Sequence, residues 1–151
     1  MRDPSPRHYA RSLFLVVSLF SVATAISCVP PDRTPLAIKG YDPVAFFAAG
    51  QPMLGHPEIE VEQEGVRYRF SSEENRETFR ADPSHYMPQF GDFCAMALSK
   101  GELVEAEPEN WLIVDGKLYI FGKPTGAQLF QKDLAGNVLK ANGNRSLLPK
   151  P

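Results

Sequence analysis

The strongest constraint on the fold is the Asp115-Gly116 pair, which stands between two apolar runs at residues 111–114 and 117–121. Asp-Gly suits a two-residue type I′ turn, because both central residues of that turn need a positive φ. A turn of this kind joins two antiparallel strands. Residues 111–121 are therefore predicted to form a β-hairpin.

A second glycine turn, Glu64-Gly65, predicts another hairpin. Apolar and charged residues alternate on both sides of it, at residues 58–62 and 66–70. Alternation with a period of two is the pattern of a strand that buries one face. The second hairpin should therefore lie half-buried against a core.

Three short helices are predicted around the hairpins. Asp42-Pro43 supplies an N-cap and a first-turn proline for a helix that ends at Gly50. Ser71 and Glu74 have the spacing of a capping box and open a helix through residue 80. Apolar residues recur at helical spacing over residues 124–141. Together these elements predict an α+β fold with a small antiparallel sheet and about three short helices.

The N-terminus has the pattern of an export signal. Arg2, Arg7 and Arg11 precede an apolar run at residues 12–22, and small residues follow the run. This order is typical of a signal peptide, here residues 1–27, and the run is shorter than the roughly 20 residues of a membrane span. The mature protein is predicted to be extracytoplasmic.

Two endings of the signal stay open. Cleavage after the Ala23-Thr24-Ala25 triplet would release a secreted protein. Alternatively, Cys28 follows a segment that resembles a lipobox, so lipidation of Cys28 would anchor a periplasmic or cell-envelope lipoprotein to the membrane. Residues 28–36 are then a tether, residues 37–142 the domain and residues 143–151 a flexible tail.

Composition excludes several function classes. The net charge is −2 and the sequence has no basic stripe, so no nucleic-acid partner is expected. Two cysteines in the whole chain make neither a disulfide framework nor the paired hooks of a structural zinc site. No phosphate loop, dinucleotide fingerprint or catalytic-triad motif is present, which favours a non-catalytic protein.

The densest group of chemically versatile side chains lies in residues 85–96. Cys94 is the candidate ligand of a soft metal such as copper, with Met87, Met96 and His85 as its partners. The competing interpretation is that Cys94 is a small buried apolar residue and that the methionines fill gaps in the core. A candidate apolar cleft is formed by four aromatic residues: Tyr41, Tyr86, Trp111 and Tyr119.

Several motifs in one order resemble the YHS domain family, and more closely its secreted bacterial branch with a single domain. They are Gly40-Tyr41-Asp42-Pro43-Val44-Ala45-Phe46-Phe47, Phe70-Ser71-Ser72-Glu73-Glu74-Asn75, Tyr86-Met87-Pro88-Gln89-Phe90-Gly91-Asp92-Phe93-Cys94-Ala95 and Asp115-Gly116-Lys117-Leu118-Tyr119. Some relatives are linked to heavy-metal handling through cysteine pairs. This chain lacks those extra cysteines, and Asp92 stands where the family usually has a second glycine.

The resemblance implies a binding module related to copper or zinc, centred on Cys94. Two alternatives stay open at this point. One is a structural or protein-interaction domain without a ligand, and the other is a thiol-dependent redox enzyme that uses Cys94. A metal site needs the Cys94 sulfur close to Met87, Met96 or His85. A thiol enzyme needs Cys94 exposed beside a basic residue.

Overall fold

A computed structural model describes residues 34–150, so the predicted signal peptide and Cys28 lie outside the described residues. The α+β fold is confirmed: two antiparallel hairpins are surrounded by short helices. In chain order the elements are a 3₁₀ turn (Ala37–Gly40), α1 (Ala45–Ala48), β1 (His56–Gln63), β2 (Val66–Phe70), α2 (Glu73–Ala81), α3 (Pro83–Tyr86), α4 (Ala95–Leu98), β3 (Glu107–Val114), β4 (Lys117–Phe121), α5 (Gly126–Gln131), α6 (Leu134–Gly143) and a second 3₁₀ turn (Arg145–Leu147).

Both predicted hairpin turns are confirmed. Glu64 and Gly65 have φ values of 52° and 73°, and Asp115 and Gly116 have φ values of 51° and 68°. Positive φ at both central residues is the geometry of the type I′ turn, whose twist matches that of the flanking strands. Strand β1 pairs with β2 and strand β3 with β4, and each hairpin forms its own two-stranded sheet.

Strand β4 divides the core into two clusters, because its side chains alternate between two buried faces. Leu118 and Ile120 belong to the first cluster, together with residues such as Phe46, Phe70 and Phe79. Tyr119 and Phe121 belong to the second cluster, together with residues such as Phe90, Leu98 and Phe130. A strand with both faces buried reads as a continuous apolar run, as residues 118–121 do.

The helix beginning near Ser71 and Ser72 is confirmed, but its cap differs in detail from the predicted capping box. Ser72 is the N-cap of α2, and its hydroxyl accepts a hydrogen bond from the Asn75 amide at 3.1 Å. Ser71 instead donates its hydroxyl to Asp42 at 2.7 Å. The serine one residue closer to the helix caps it, because the other serine is held by a long-range contact.

The predicted helix over residues 124–141 is two helices, α5 and α6. Asp133 starts the second, since its carboxylate accepts from the Gly136 amide at 3.1 Å. A Cβ at Gly136 would collide with that carboxylate. The glycine therefore gives the capping aspartate room, and a new N-cap interrupts the helical pattern.

Asp42 ties together the two motifs that flank the first hairpin. Its side chain is completely buried, and one oxygen accepts from the amides of Val44 at 2.8 Å and Ala45 at 3.2 Å. The other oxygen accepts from the amide and hydroxyl of Ser71 at 2.8 and 2.7 Å and from the side-chain amide of Asn75 at 2.6 Å. Five donors satisfy a carboxylate that would otherwise be costly to bury.

The ends of the described chain pack onto the domain. The Arg67 amide donates to the carbonyl of Pro35 at 2.8 Å, so the last part of the predicted tether lies along β2. After α6, the Asn144 side chain donates to the carbonyl of Leu98 at 2.9 Å, and Leu148 packs on the second cluster. Within residues 34–150, no helix is both long enough and apolar enough to cross a membrane.

Candidate functional site

Cys94 lies in the second core cluster. Its side chain is 7% exposed and packs with apolar residues that include Leu98 and Phe121. The Cys94 residue is the N-cap of α4, and its sulfur accepts from the Ala97 amide at 3.4 Å. The sulfur therefore already has a structural role in starting a short helix.

The other predicted metal ligands do not all pack on the cluster that contains Cys94. Met96 packs on the second cluster with Cys94, and its sulfur lies 4.0 Å from the Ser99 hydroxyl. Met87 packs on the first cluster. His85 is exposed, and its ring contacts the rings of Phe47 and Tyr86 at centroid distances of 5.0 and 4.7 Å.

Among residues 34–150 there is no group of three or more His, Cys, Asp or Glu side chains that could hold a metal ion. A thiolate needs further soft or imidazole ligands to make a selective copper or zinc site. The metal site at Cys94 stays a prediction, which thermal unfolding with and without Cu(I) would test for wild type and Cys94→Ser.

The four aromatic residues of the predicted cleft are likewise divided. Tyr41, Tyr86 and Trp111 pack on the first cluster, and Trp111 meets the edge of Phe46 at 5.5 Å between ring centroids. Tyr119 is buried in the second cluster against Phe90 and Phe130. The Tyr41 hydroxyl donates to the Glu109 carboxylate at 3.1 Å.

A different cleft, of about 820 Å³, is present in the described part of the chain. Its walls come from the first 3₁₀ turn, the β1–β2 turn, the loop after α3, and the segment following Arg145. Its apolar lining includes Leu36, Val66, Met87, Phe90, Ile120 and Leu148. The volume lies in the range of small-molecule sites, which are mostly apolar with a few polar groups.

One wall of the cleft is a turn with an unusual backbone. Ile38 and Lys39 have φ values of 41° and 51°, and Gly40 follows with 82°. Positive φ is unfavourable for a β-branched residue such as isoleucine, so the surrounding structure must hold this turn in place. The Ile38 amide donates to the Asp92 carboxylate at 2.6 Å, a contact between residues 54 positions apart.

Asp92 lies where the turn meets the cleft. One carboxylate oxygen, Oδ1, accepts from Ile38, while Oδ2 has no hydrogen-bond partner among residues 34–150. Burial raises the pKa of Asp92, the Ile38 hydrogen bond and the Lys39 charge lower it, and the Glu105 charge raises it, with a net upward shift. The upward shift means that the ionised carboxylate is incompletely compensated by its surroundings.

Tyr68 is the second polar residue of the cleft. Its side chain is 6% exposed, and its ring packs on Phe79 at 5.0 Å between centroids. Within residues 34–150 its hydroxyl has no hydrogen-bond partner, and the oxygen is accessible from the cleft although the ring is buried. Burial and the nearby Asp92 charge both raise the pKa of Tyr68, so the phenol stays protonated at neutral pH.

Sequence reasoning missed this pair of residues. Tyr68 has the alternating position of an inward-facing strand residue and was expected in the core with Val66 and Phe70. Asp92 did carry a signal, because it replaces a glycine of the family pattern. A carboxylate at a position usually without a side chain is a marker of a local difference in function.

No protein-family model matches the chain, and neither a curated protein nor a solved structure matches it. The similarity to the YHS family therefore stays a prediction based on the motifs of the sequence.

Proposed function

We propose that the protein is an exported, non-catalytic binding module that takes a small, largely apolar molecule into the cleft between Ile38, Tyr68 and Asp92. The observation that carries the proposal is the pair of polar groups without protein partners in this cleft, Asp92 Oδ2 and the Tyr68 hydroxyl. Both atoms are accessible from the cleft and not sealed in the core, so a ligand in the cleft can replace the water that they contact.

Two further features support binding rather than catalysis. Tyr68 stays protonated, and Cys94, the only candidate nucleophile considered above, is buried and caps α4. A reactive cysteine needs exposure and an electropositive neighbourhood that favours the thiolate. The geometry therefore favours the cleft over Cys94 as the functional centre.

Blocking the cleft tests this function. Val66→Phe adds a ring to a half-buried residue of the lining and is expected to reduce the binding of an apolar fluorescent dye at least about tenfold, because the added ring occupies ligand volume. The matched control is Val104→Phe, which changes an exposed valine outside the cleft lining. Fluorescence titration measures both affinities.

Equal dye affinity in wild type and Val66→Phe, with both proteins folded, would refute the cleft as the binding site. The domain without a ligand would then become the better description. Circular dichroism of the two variants verifies the fold before titration.

The location outside the cytoplasm rests on the basic, apolar and small segments of residues 1–27 and on Cys28. If Cys28 carries a lipid, Cys28→Ser is expected to move the protein from the membrane fraction to the soluble or unprocessed fraction. Fractionation with an antibody against the folded domain measures this. Retention of the full-length protein in the cytoplasm would contradict export.

A further inference from the structure

The polar groups of the cleft restrict the chemical class of its ligand. Asp92 Oδ2 offers an acceptor, and the Tyr68 hydroxyl offers both an acceptor and a donor. The two residues are close enough for the Asp92 charge to affect Tyr68. A ligand that satisfies both needs a group with several donors next to an apolar body.

The charges around Asp92 favour a cation over a neutral donor. Glu105 also faces Asp92 and adds a second negative charge. Lys39 is the cation whose charge lowers the pKa of Asp92, and its ammonium also pairs with Glu107 at 2.6 Å. Lys39 therefore divides its charge between Glu107 and Asp92, and the pKa of Asp92 is still raised overall.

The positive groups farther along the lining are also engaged or exposed. The Arg145 guanidinium lies 4.9 Å from the centre of the Phe90 ring, and its Nε donates to the Asn142 side chain at 2.9 Å. Lys150 is exposed. The part of the lining that contains Asp92 and Glu105 is thus the negative part of a largely apolar cleft.

From these contacts we infer that the cleft selects a small molecule with a protonated primary amine on an apolar body. The inference rests on the binding function proposed above and adds the ligand class to it. The ammonium donates to Asp92 Oδ2 and to the Tyr68 hydroxyl, while the apolar body contacts residues such as Met87, Phe90 and Ile120. Charge-assisted hydrogen bonds are about twice as strong as neutral ones.

Three probes with the same 2-phenylethyl body test the ligand class: 2-phenylethylamine, 2-phenylethanol and 3-phenylpropanoate. Their competition with the apolar dye is measured by titration at neutral pH. The amine is expected to bind about tenfold more tightly than the alcohol, and the carboxylate more weakly than either. The ranking follows from the charge next to Asp92 and not from the apolar contacts, which the three probes share.

Asp92→Asn is the decisive variant, because asparagine keeps an oxygen that accepts from Ile38 and removes the charge. It is expected to lower the affinity for the amine about tenfold and to leave the affinity for the alcohol within about twofold. Tyr68→Phe removes a hydroxyl that has no protein partner, so it can be made without losing a hydrogen bond of the described fold. It should weaken the amine and the alcohol together.

The pH dependence gives an independent readout. The Asp92 carboxylate faces Lys39, Glu105 and Tyr68, and its pKa lies above that of an ordinary aspartate. Lowering the pH therefore neutralises Asp92 earlier than an exposed aspartate, and the affinity for the amine should fall while the affinity for the alcohol stays constant. In Asp92→Asn this pH dependence should disappear.

The outcomes separate this inference from the proposed function. Equal affinities for amine, alcohol and carboxylate would overturn the amine preference and leave the apolar cleft in place. Tighter binding of the carboxylate would overturn it as well and would assign the selecting charge to Arg145 or Lys150. If none of the probes and no dye binds to the folded protein, the proposed function itself is wrong.

Discussion

Replacing Asp42 with alanine is expected to lower the free energy of unfolding by about 3–5 kcal/mol, because it leaves buried donors without an acceptor. Asp42 is 0% exposed and accepts from Val44, Ala45, Ser71 and Asn75. The loss of a buried hydrogen-bonded carboxylate costs more than the loss of an exposed one. Denaturant unfolding at neutral pH measures the difference.

The matched control is Asp133→Ala, which removes the N-cap aspartate of α6. Asp133 is exposed and accepts from the Gly136 amide at 3.1 Å, so its loss should cost only about 1 kcal/mol. Similar losses for Asp42→Ala and Asp133→Ala would mean that the buried network contributes nothing beyond a helix cap. Asp42→Asn tests the role of the charge, since it keeps one acceptor oxygen.

The local elements of the fold follow from residues that are close together in the chain. The Glu64-Gly65 and Asp115-Gly116 turns were predictable because only a few residues adopt the required positive φ easily. A helix start near Asp42 was predictable for the same kind of reason, although α1 begins at Ala45 with Val44 as its N-cap residue, and Asp42 accepts from the Val44 and Ala45 amides before it. These signals depend on neighbours in sequence.

The long-range part of the Asp42 network was not predictable in this way. Ser71 and Asn75 lie 29 and 33 positions away, and nothing in their own surroundings indicates a contact with Asp42. Local rules in fact favour Ser71, which has Glu74 three residues later, over Ser72, which has Asn75 there. The long-range contact of Ser71 with Asp42 decides between them.

The candidate site depends even more strongly on tertiary structure. Asp92 reaches the Ile38 amide across 54 positions, and Tyr68 comes to the same cleft from β2. The predicted copper ligands were chosen because they are close in sequence, but Met87 and Cys94 pack on different clusters. Met96 packs on the same cluster as Cys94, so the predicted set is only partly on one cluster and the metal site stays a prediction.

The β-hairpin pattern also concealed the special role of Tyr68. An aromatic residue at an inward-facing strand position is usually part of a core, and its ring is indeed buried against Phe79. The hydroxyl is the exceptional part of the side chain, because it lacks a protein partner within the described residues. A pattern of apolar and polar residues classifies whole side chains and does not separate a ring from its hydroxyl.

Phe79→Ala is expected to lower the free energy of unfolding by about 3–5 kcal/mol, the usual range for removing a buried phenylalanine. Phe79 is 0% exposed and packs between the rings of Tyr68 and Phe70, at centroid distances of 5.0 and 5.1 Å. The truncation removes the apolar contacts and leaves a cavity beneath both rings. Urea unfolding at 25 °C measures the loss.

The same substitution connects the core to the cleft, because Phe79 supports the ring of Tyr68. In protein that is still folded, Phe79→Ala should weaken the binding of 2-phenylethylamine and 2-phenylethanol together, as expected for Tyr68→Phe. The control Leu139→Ala, at a side chain that is 75% exposed, should change stability by less than about 0.5 kcal/mol and leave binding unaltered. Unchanged binding in folded Phe79→Ala would show that the position of the Tyr68 hydroxyl does not depend on the packing of its ring.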